Sequence, residues 1–369
     1  MESVCSRFLQ GELSHNSGAD VITQLRTEGK KRIDAFVFEL LFRRRIEFVI
    51  NELPDFVAAF GWHVGYNKYG QPEYWFRLME NDSDWNACDD ALVVSLRSKP
   101  VLGTRILPQV FRVKFSATEN DFLADAVDGV ERDWRLLKKI VGQFQRKGLT
   151  RPPRDMTGAQ GKNIDEAIEW LSQGERKSAL NALSIQRRFV NCVIGPMLGR
   201  DVTDIDAIVL SPDGGLVYIE FKRKYPAFNS RSFGLDMTPH ISLMNVMSNI
   251  RIRFLHMILV PPLWEKEGSP VKWMANAELE PKWIWLVGYL GKDSISGRKL
   301  TTTGADSGQR NAVREQMEID WKFLKILHGS LKLGDAGKEK LKSLLITGQV
   351  SDLPPASFEF LDNSRVRRG

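Results

Sequence analysis

Apolar residues recur at helical spacing between Lys31 and Leu53, at Ile33, Phe36, Val37, Leu40, Leu41, Phe48 and Val49, which predicts a helix ended by Pro54. Arg43, Arg44 and Arg45 are consecutive on it and cannot share one face. Short aromatic stretches broken by turn residues follow at 58–66, 73–78, 91–96 and 110–115, the pattern of a small antiparallel sheet. An amphipathic run from Asp121 to Lys147 predicts a long helix. Residues 148–162 are rich in Pro, Gly and charge and show no periodicity. A boundary is expected there, with an α+β accessory or substrate-recognition domain over 1–150 and a linker over 151–162.

Beyond the boundary, Ile164 to Leu171 and Arg176 to Met197 read as helices. Val202 to Leu210 and Leu216 to Phe221 are short apolar strands around Ser211-Pro212-Asp213-Gly214-Gly215, which is turn chemistry. Thr238-Pro239 opens a helix running to about Asn249, and Phe254 to Val260 and Trp283 to Tyr289 read as buried strands. This order predicts an α/β core. Gly308 to Leu345 is expected to be mostly helical, within a helical C-terminal extension over 301–369.

Composition narrows the classes. The chain has 369 residues, 43% hydrophobic and 27% charged, which excludes wholesale disorder and fibrous repeats. No apolar run reaches the roughly 18–20 residues of a membrane span, and Met1 to Gly11 lacks the basic-then-apolar order of a signal peptide, so a cytoplasmic protein without membrane association is expected. Cys5, Cys88 and Cys192 lie far apart without a CxxC pair, so neither a disulfide framework nor a zinc site is expected. The formal charge of +6 agrees with a polyanionic partner, although net charge governs encounter and not chemistry. The Gly214-Gly215 pair belongs to a turn, and no GxxxxGK[ST] sequence occurs, so no nucleotide cofactor is expected.

The informative residues lie on the hairpin. Alternate residues of a strand share a face, so Glu220 and Lys222 point one way and Val217, Ile219 and Phe221 the other. Pairing across the turn brings Asp206 close to Glu220, with Asp204 on the same side. Mg²⁺ favours oxygen ligands and is commonly held by one or two carboxylates plus phosphate oxygens. Asp206, Glu220 and the Phe221 carbonyl form a partial shell of that kind, and Lys222 stands where it can position a water or stabilise charge. The competing reading is a solvated hairpin face with cross-strand salt bridges. An acid between Ile219 and Phe221 in a buried strand is costly without a partner, which favours a site.

Asp206, an interval of 13 residues, then Glu220-Phe221-Lys222 on consecutive strands resembles the PD-(D/E)xK nuclease superfamily, over about residues 163–262. The resemblance implies a restriction-endonuclease-like core of mixed sheet flanked by helices, over 163–300, preceded by the separate α+β domain. It implies a Mg²⁺- or Mn²⁺-dependent endonuclease acting on DNA, in a setting such as defence against foreign DNA or a mobile element. Asp206, Glu220 and Lys222 would be catalytic, with Asp206, Glu220 and Phe221 on the metal and Asp204 and Glu175 as second-choice acids. Arg223, Lys224, Arg231, Arg251 and Arg253 would contact DNA phosphates. Two further readings stay open: an inactive nuclease-fold protein that binds DNA or assembles, and a Holliday-junction resolvase. The first 150 residues would serve homodimerisation or a protein partner. His240 reads as a helix-start residue and His256 as a sheet residue, and Trp75, Trp85, Trp283 and Trp285 as core anchors.

Overall fold

Two six-stranded sheets and one three-stranded sheet organise this computed structural model, which describes all residues except 1–29, 68, 101–105, 128–132, 142–161, 172, 174–181, 183–184, 187, 199–201, 266–269, 305–311 and 368–369. The elements begin with α1 (Lys30–Ile50), β1 (Val57–Ala59), β2 (Trp62–Tyr66), β3 (Pro72–Met79), α2 (Ala87–Arg97), β4 (Gln109–Ser116), β5 (Asp121–Ala126), β6 (Arg135–Leu136), α3 (Leu137–Val141) and α4 (Lys162–Leu171). They continue with β7 (Val202–Ile205), β8 (Ala207–Leu210), β9 (Leu216–Arg223), β10 (Gly234–Asp236), α5 (Ser242–Asn249) and β11 (Arg253–Val260). The last are β12 (Ile284–Leu290), β13 (Ile295–Gly304), β14 (Ala312–Ile319), β15 (Lys325–His328), α6 (Gly334–Thr347) and α7 (Phe358–Ser364). The protein is a mixed α/β fold with mixed sheets and accompanying helices. No helix among the described residues is long and apolar enough to cross a membrane.

The chain divides into two compact units, Met1–Val37 with Ala59–Ile205, and Phe38–Ala58 with Asp206–Gly369. Residues 151–161 of the expected linker, the first 29 residues and Glu175 lie outside the described residues.

The first unit holds the sheet β6-β5-β4-β3-β2-β7, with β3 and β4 parallel and the other pairs antiparallel. Its core is aromatic: Phe76 stacks on Phe111 at 5.3 Å and Phe122 meets Phe189 at 5.2 Å. Two sequence expectations fail here for local reasons. Residues 91–96, read as a strand, are part of α2, because Asn86 accepts from the Cys88 and Asp89 amides while Asp89 accepts from the Asn86 amide. That reciprocal cap starts a helix despite the β-branched Val93-Val94 pair. The run read as a helix from Asp121 begins as β5, whose Phe122 and Ala124 are buried opposite Phe115 and Val113, with an Arg112–Asp125 ion pair of 2.8 Å across the strands. A third expectation, the absence of disulfides, fails because pairing follows proximity in space and not spacing in the chain: Cys192 is disulfide-bonded.

The second unit holds the sheet β1-β8-β9-β11-β12-β15 and the smaller sheet β10-β14-β13. β8 and β9 form the expected hairpin, closed by the Ser211–Gly215 turn with Gly214 at φ +82°, a conformation suited to glycine. β9 and β11 are parallel, and the connection between them carries β10 and α5. One face of β9 packs on α1, where Phe42 stacks on Phe221 at 4.7 Å and Phe38 meets Trp283 at 5.6 Å. Trp75, Trp283 and Trp285 are fully buried anchors, whereas Trp85 is only partly buried. The stretch expected to be helical from Gly308 contains β14 and β15 ahead of α6. β14 is held on both sides by strands distant in sequence, with Glu318 opposite Gly234 and Glu315 opposite Thr301, pairings that its own pattern does not announce.

Candidate active site

The hydrophobic pattern reads Val202 to Leu210 as one strand, but it is two. β7 pairs with β2 in one sheet and β8 with β9 in another, and Asp206 is the residue between them. The β8–β9 ladder stops at Ala207 opposite Ile219, which leaves the next backbone N–H of β9 on that side, that of Phe221, without a strand partner. The Asp206 Oδ2 takes it at 2.7 Å. The C=O and N–H of one residue in a strand point to the same side, so the Phe221 carbonyl also faces the Asp206 edge.

Glu220 lies on the other face of β9 from Phe221 and is 1% exposed. The Lys222 Nζ is 2.5 Å from its Oε1, and the Tyr218 hydroxyl donates to its Oε2. His240, carried over this face by the short π-helical segment Met237–Ile241 after β10, places Nδ1 3.2 Å from Glu220 Oε1. The His240 Nε2 is 4.0 Å from Asp236 Oδ2. His256 is the register partner of Glu220 on β11 and is fully buried. The solvated-face reading therefore does not describe this hairpin, since the acid at its centre is buried among polar side chains.

The electrostatics follow from burial and crowding. Burial pushes the Asp206 carboxyl well above the usual range, and the neighbouring Glu220 and, more weakly, Glu39 add to the shift. For Glu220 burial works in the same direction, but His240, Lys222 and the Tyr218 hydroxyl override it and hold the carboxyl at about 2. Burial opposes the charge of Lys222, yet the Glu220 and Asp206 carboxylates raise its pKa above the ordinary lysine value. Burial lowers His240 to about 4 and Lys224 to about 8, and holds His256 well below the ordinary imidazole value.

Of the expected basic residues, Lys224 stays beside this cluster, its charge acting on His240 and His256, and the rest lie elsewhere. Asp204 belongs to β7, where its Oδ1 is 2.7 Å from the Nδ1 of His63. The break at Asp206 puts Asp204 and Glu220 in different sheets. Arg223 follows the alternation to the α1 face and lies 4.9 Å over Phe38. Lys224 Nζ donates to the Gly234 carbonyl at 2.6 Å. Arg231 pairs with Glu359 at 2.8 Å and sits over Phe358. Arg253 stands opposite Val217, five residues up the strand from Lys222, a separation of about 16 Å. Arg251 precedes it in an exposed turn with φ +63°. The expected basic cluster is thus spread over both ends and both faces of the sheet.

Glu39, Tyr218, Asp236, His240 and His256 were not singled out by sequence as neighbours of Glu220 or Asp206. Only Tyr218 carried a local signal, two residues before Glu220 on the same strand face. Among the described residues no group of three or more His, Cys, Asp or Glu side chains stands in ready metal-cage geometry. The donor set still suits a hard divalent cation: burial and the neighbouring Glu220 make the Asp206 carboxylate costly to ionise, and Glu220 is a second, buried carboxylate beside it. No protein-family model matches the chain, and no curated protein or solved structure is significantly similar to it.

Proposed function

We propose that this protein is a divalent-cation-dependent nuclease that hydrolyses DNA phosphodiester bonds, on a core similar to the PD-(D/E)xK superfamily. The observation that carries the reading is the convergence of Asp206, Glu220 and Lys222 around the end of the β8–β9 ladder. The hairpin β8–β9, the connection through α5 and the parallel strand β11 support it as topology. Asp206 and Glu220, with the Phe221 carbonyl, are the groups that would hold the cation. A cation there supplies positive charge to a phosphate oxygen and acidifies a bound water. Lys222, whose Nζ lies 2.5 Å from Glu220 Oε1, stands where it would position the attacking water or donate to a phosphate oxygen. Glu39, whose charge acts on Asp206 from α1, is the candidate for a further acid that the sequence did not place. The first unit would then select substrate or bind a partner.

The test is cleavage of linear, nicked and four-way DNA by purified protein with and without Mg²⁺ or Mn²⁺. Glu220→Ala and Lys222→Ala should abolish cleavage while DNA binding persists. Wild-type cutting by both variants would overturn the assignment, and DNA binding with no cation-dependent cleavage by the wild type would favour an inactive binding protein.

A further inference from the structure

Glu220 Oε1 and His240 Nδ1 stand 3.2 Å apart, with the Glu220 side chain 1% and the His240 side chain 10% exposed. His240 Nδ1 has no hydrogen-bond partner among the described residues, whereas Glu220 Oε1 is already ion-paired with the Lys222 ammonium at 2.5 Å. Two neighbouring donors on a cation with bonds of about 2.1 Å are separated by about 3 Å at right angles and slightly more in a tetrahedron. The pair therefore has the spacing of adjacent ligands.

The far side of the imidazole supports the same role. A ligating histidine usually passes its second ring N–H to a carboxylate, which sets the tautomer. His240 Nε2 is 4.0 Å from Asp236 Oδ2, near it but not hydrogen-bonded, and Asp236 Oδ1 is held by the Gln316 Nε2 at 2.6 Å. Strand pairing builds this support, because Asp236 and Gln316 are register partners across β10 and β14. Gly234 leaves the room, since any side chain there would collide with the Gln316 amide.

We propose that His240 is a ligand of the divalent cation through Nδ1, with Asp236 as the positioning carboxylate, and that this nitrogen makes the site prefer Mn²⁺ and related first-row cations over Mg²⁺. Imidazole suits first-row transition ions, whereas Mg²⁺ favours oxygen. The inference rests on the reading of Asp206 and Glu220 as cation-holding groups. Lys222, 36% exposed, has solvent into which to withdraw when a cation takes the Glu220 oxygen.

The experiment uses the full chain with Mn²⁺ or Mg²⁺ alone, by calorimetry and by pulsed electron paramagnetic resonance of the Mn²⁺ complex. Wild type should show coupling to a directly bound ¹⁴N that changes to the ¹⁵N pattern after [¹⁵N]histidine labelling. His240→Gln should lose the coupling and bind Mn²⁺ about 10- to 100-fold more weakly, with Mg²⁺ affinity changed less than about threefold. Asp236→Asn should keep the nitrogen coupling but shift its quadrupole frequencies. Mn²⁺ that binds wild type through Asp206 without nitrogen coupling overturns the His240 assignment and leaves the acid site standing. Coupling that survives in folded His240→Gln overturns it as well. Should His240→Gln fail to fold, the labelled wild type decides. Absence of any Mn²⁺ or Mg²⁺ binding by wild type overturns the acid site itself.

Discussion

The Asp206 carboxylate accepts the Phe221 backbone N–H at 2.7 Å, at the point where β8 ends and β9 continues. One side chain thereby replaces a missing strand residue and stands beside a second buried acid. The bond favours the ionised form of Asp206, but burial and Glu220 outweigh it.

Asp206→Asn preserves an acceptor for the Phe221 amide and removes the like charge. Cation-free protein carrying it should be unchanged or more stable by about 1 kcal/mol, while stabilisation by Mn²⁺ or Mg²⁺ disappears. Thermal denaturation with and without cation measures both effects, and a retained cation-induced shift would contradict the role given to Asp206.

Cation affinity should rise with pH. A cation competes with the proton that Asp206 retains above its ordinary titration range, so binding strengthens as the solution pH passes upward through that raised value. Calorimetry at pH 5.5, 7 and 8 reads the slope, together with proton release in buffers of different ionisation enthalpy.

His240 contributes an acid-sensitive part of stability. Its folded pKa, about 4, lies below the ordinary 6.5, so the unfolded chain binds more protons between these values. Stability due to this group is full above pH 6.5 and falls as pH drops towards 4. Urea denaturation across that interval should show a shallower decline for His240→Gln than for wild type.

Lys222→Met strips a buried carboxylate of its ammonium. Because Lys222 is 36% exposed and partly screened, the expected loss is about 1–3 kcal/mol, below that of a fully buried pair. Lys222→Arg should recover most of it. Equal stability of Met and wild type in chemical denaturation would show that water already screens Glu220.

Phe42→Ala should cost about 3–5 kcal/mol, because its fully buried ring stacks on Phe221. The same change should weaken cation binding if α1 helps to shape the Asp206 environment through Glu39. A conservative Phe42→Leu should cost about 1 kcal/mol.

Local chemistry in the chain determined the hairpin: the Ser211–Gly215 turn closes it, and strand alternation sends Glu220 and Lys222 to one face. The same reading missed α2, whose Asn86–Asp89 cap outweighed its β-branched residues, and β14, which exists through partners far away in the chain. Tertiary structure alone decided that Asp204 leaves for another sheet, that Glu39 acts on Asp206 from α1, and that His240 turns back onto Glu220. The physical reason is range. Periodicity and turn residues record which neighbours share a face, whereas the meeting of residues 39, 206 and 240 depends on the packing of strands and helices whose encounter leaves no mark on any short stretch.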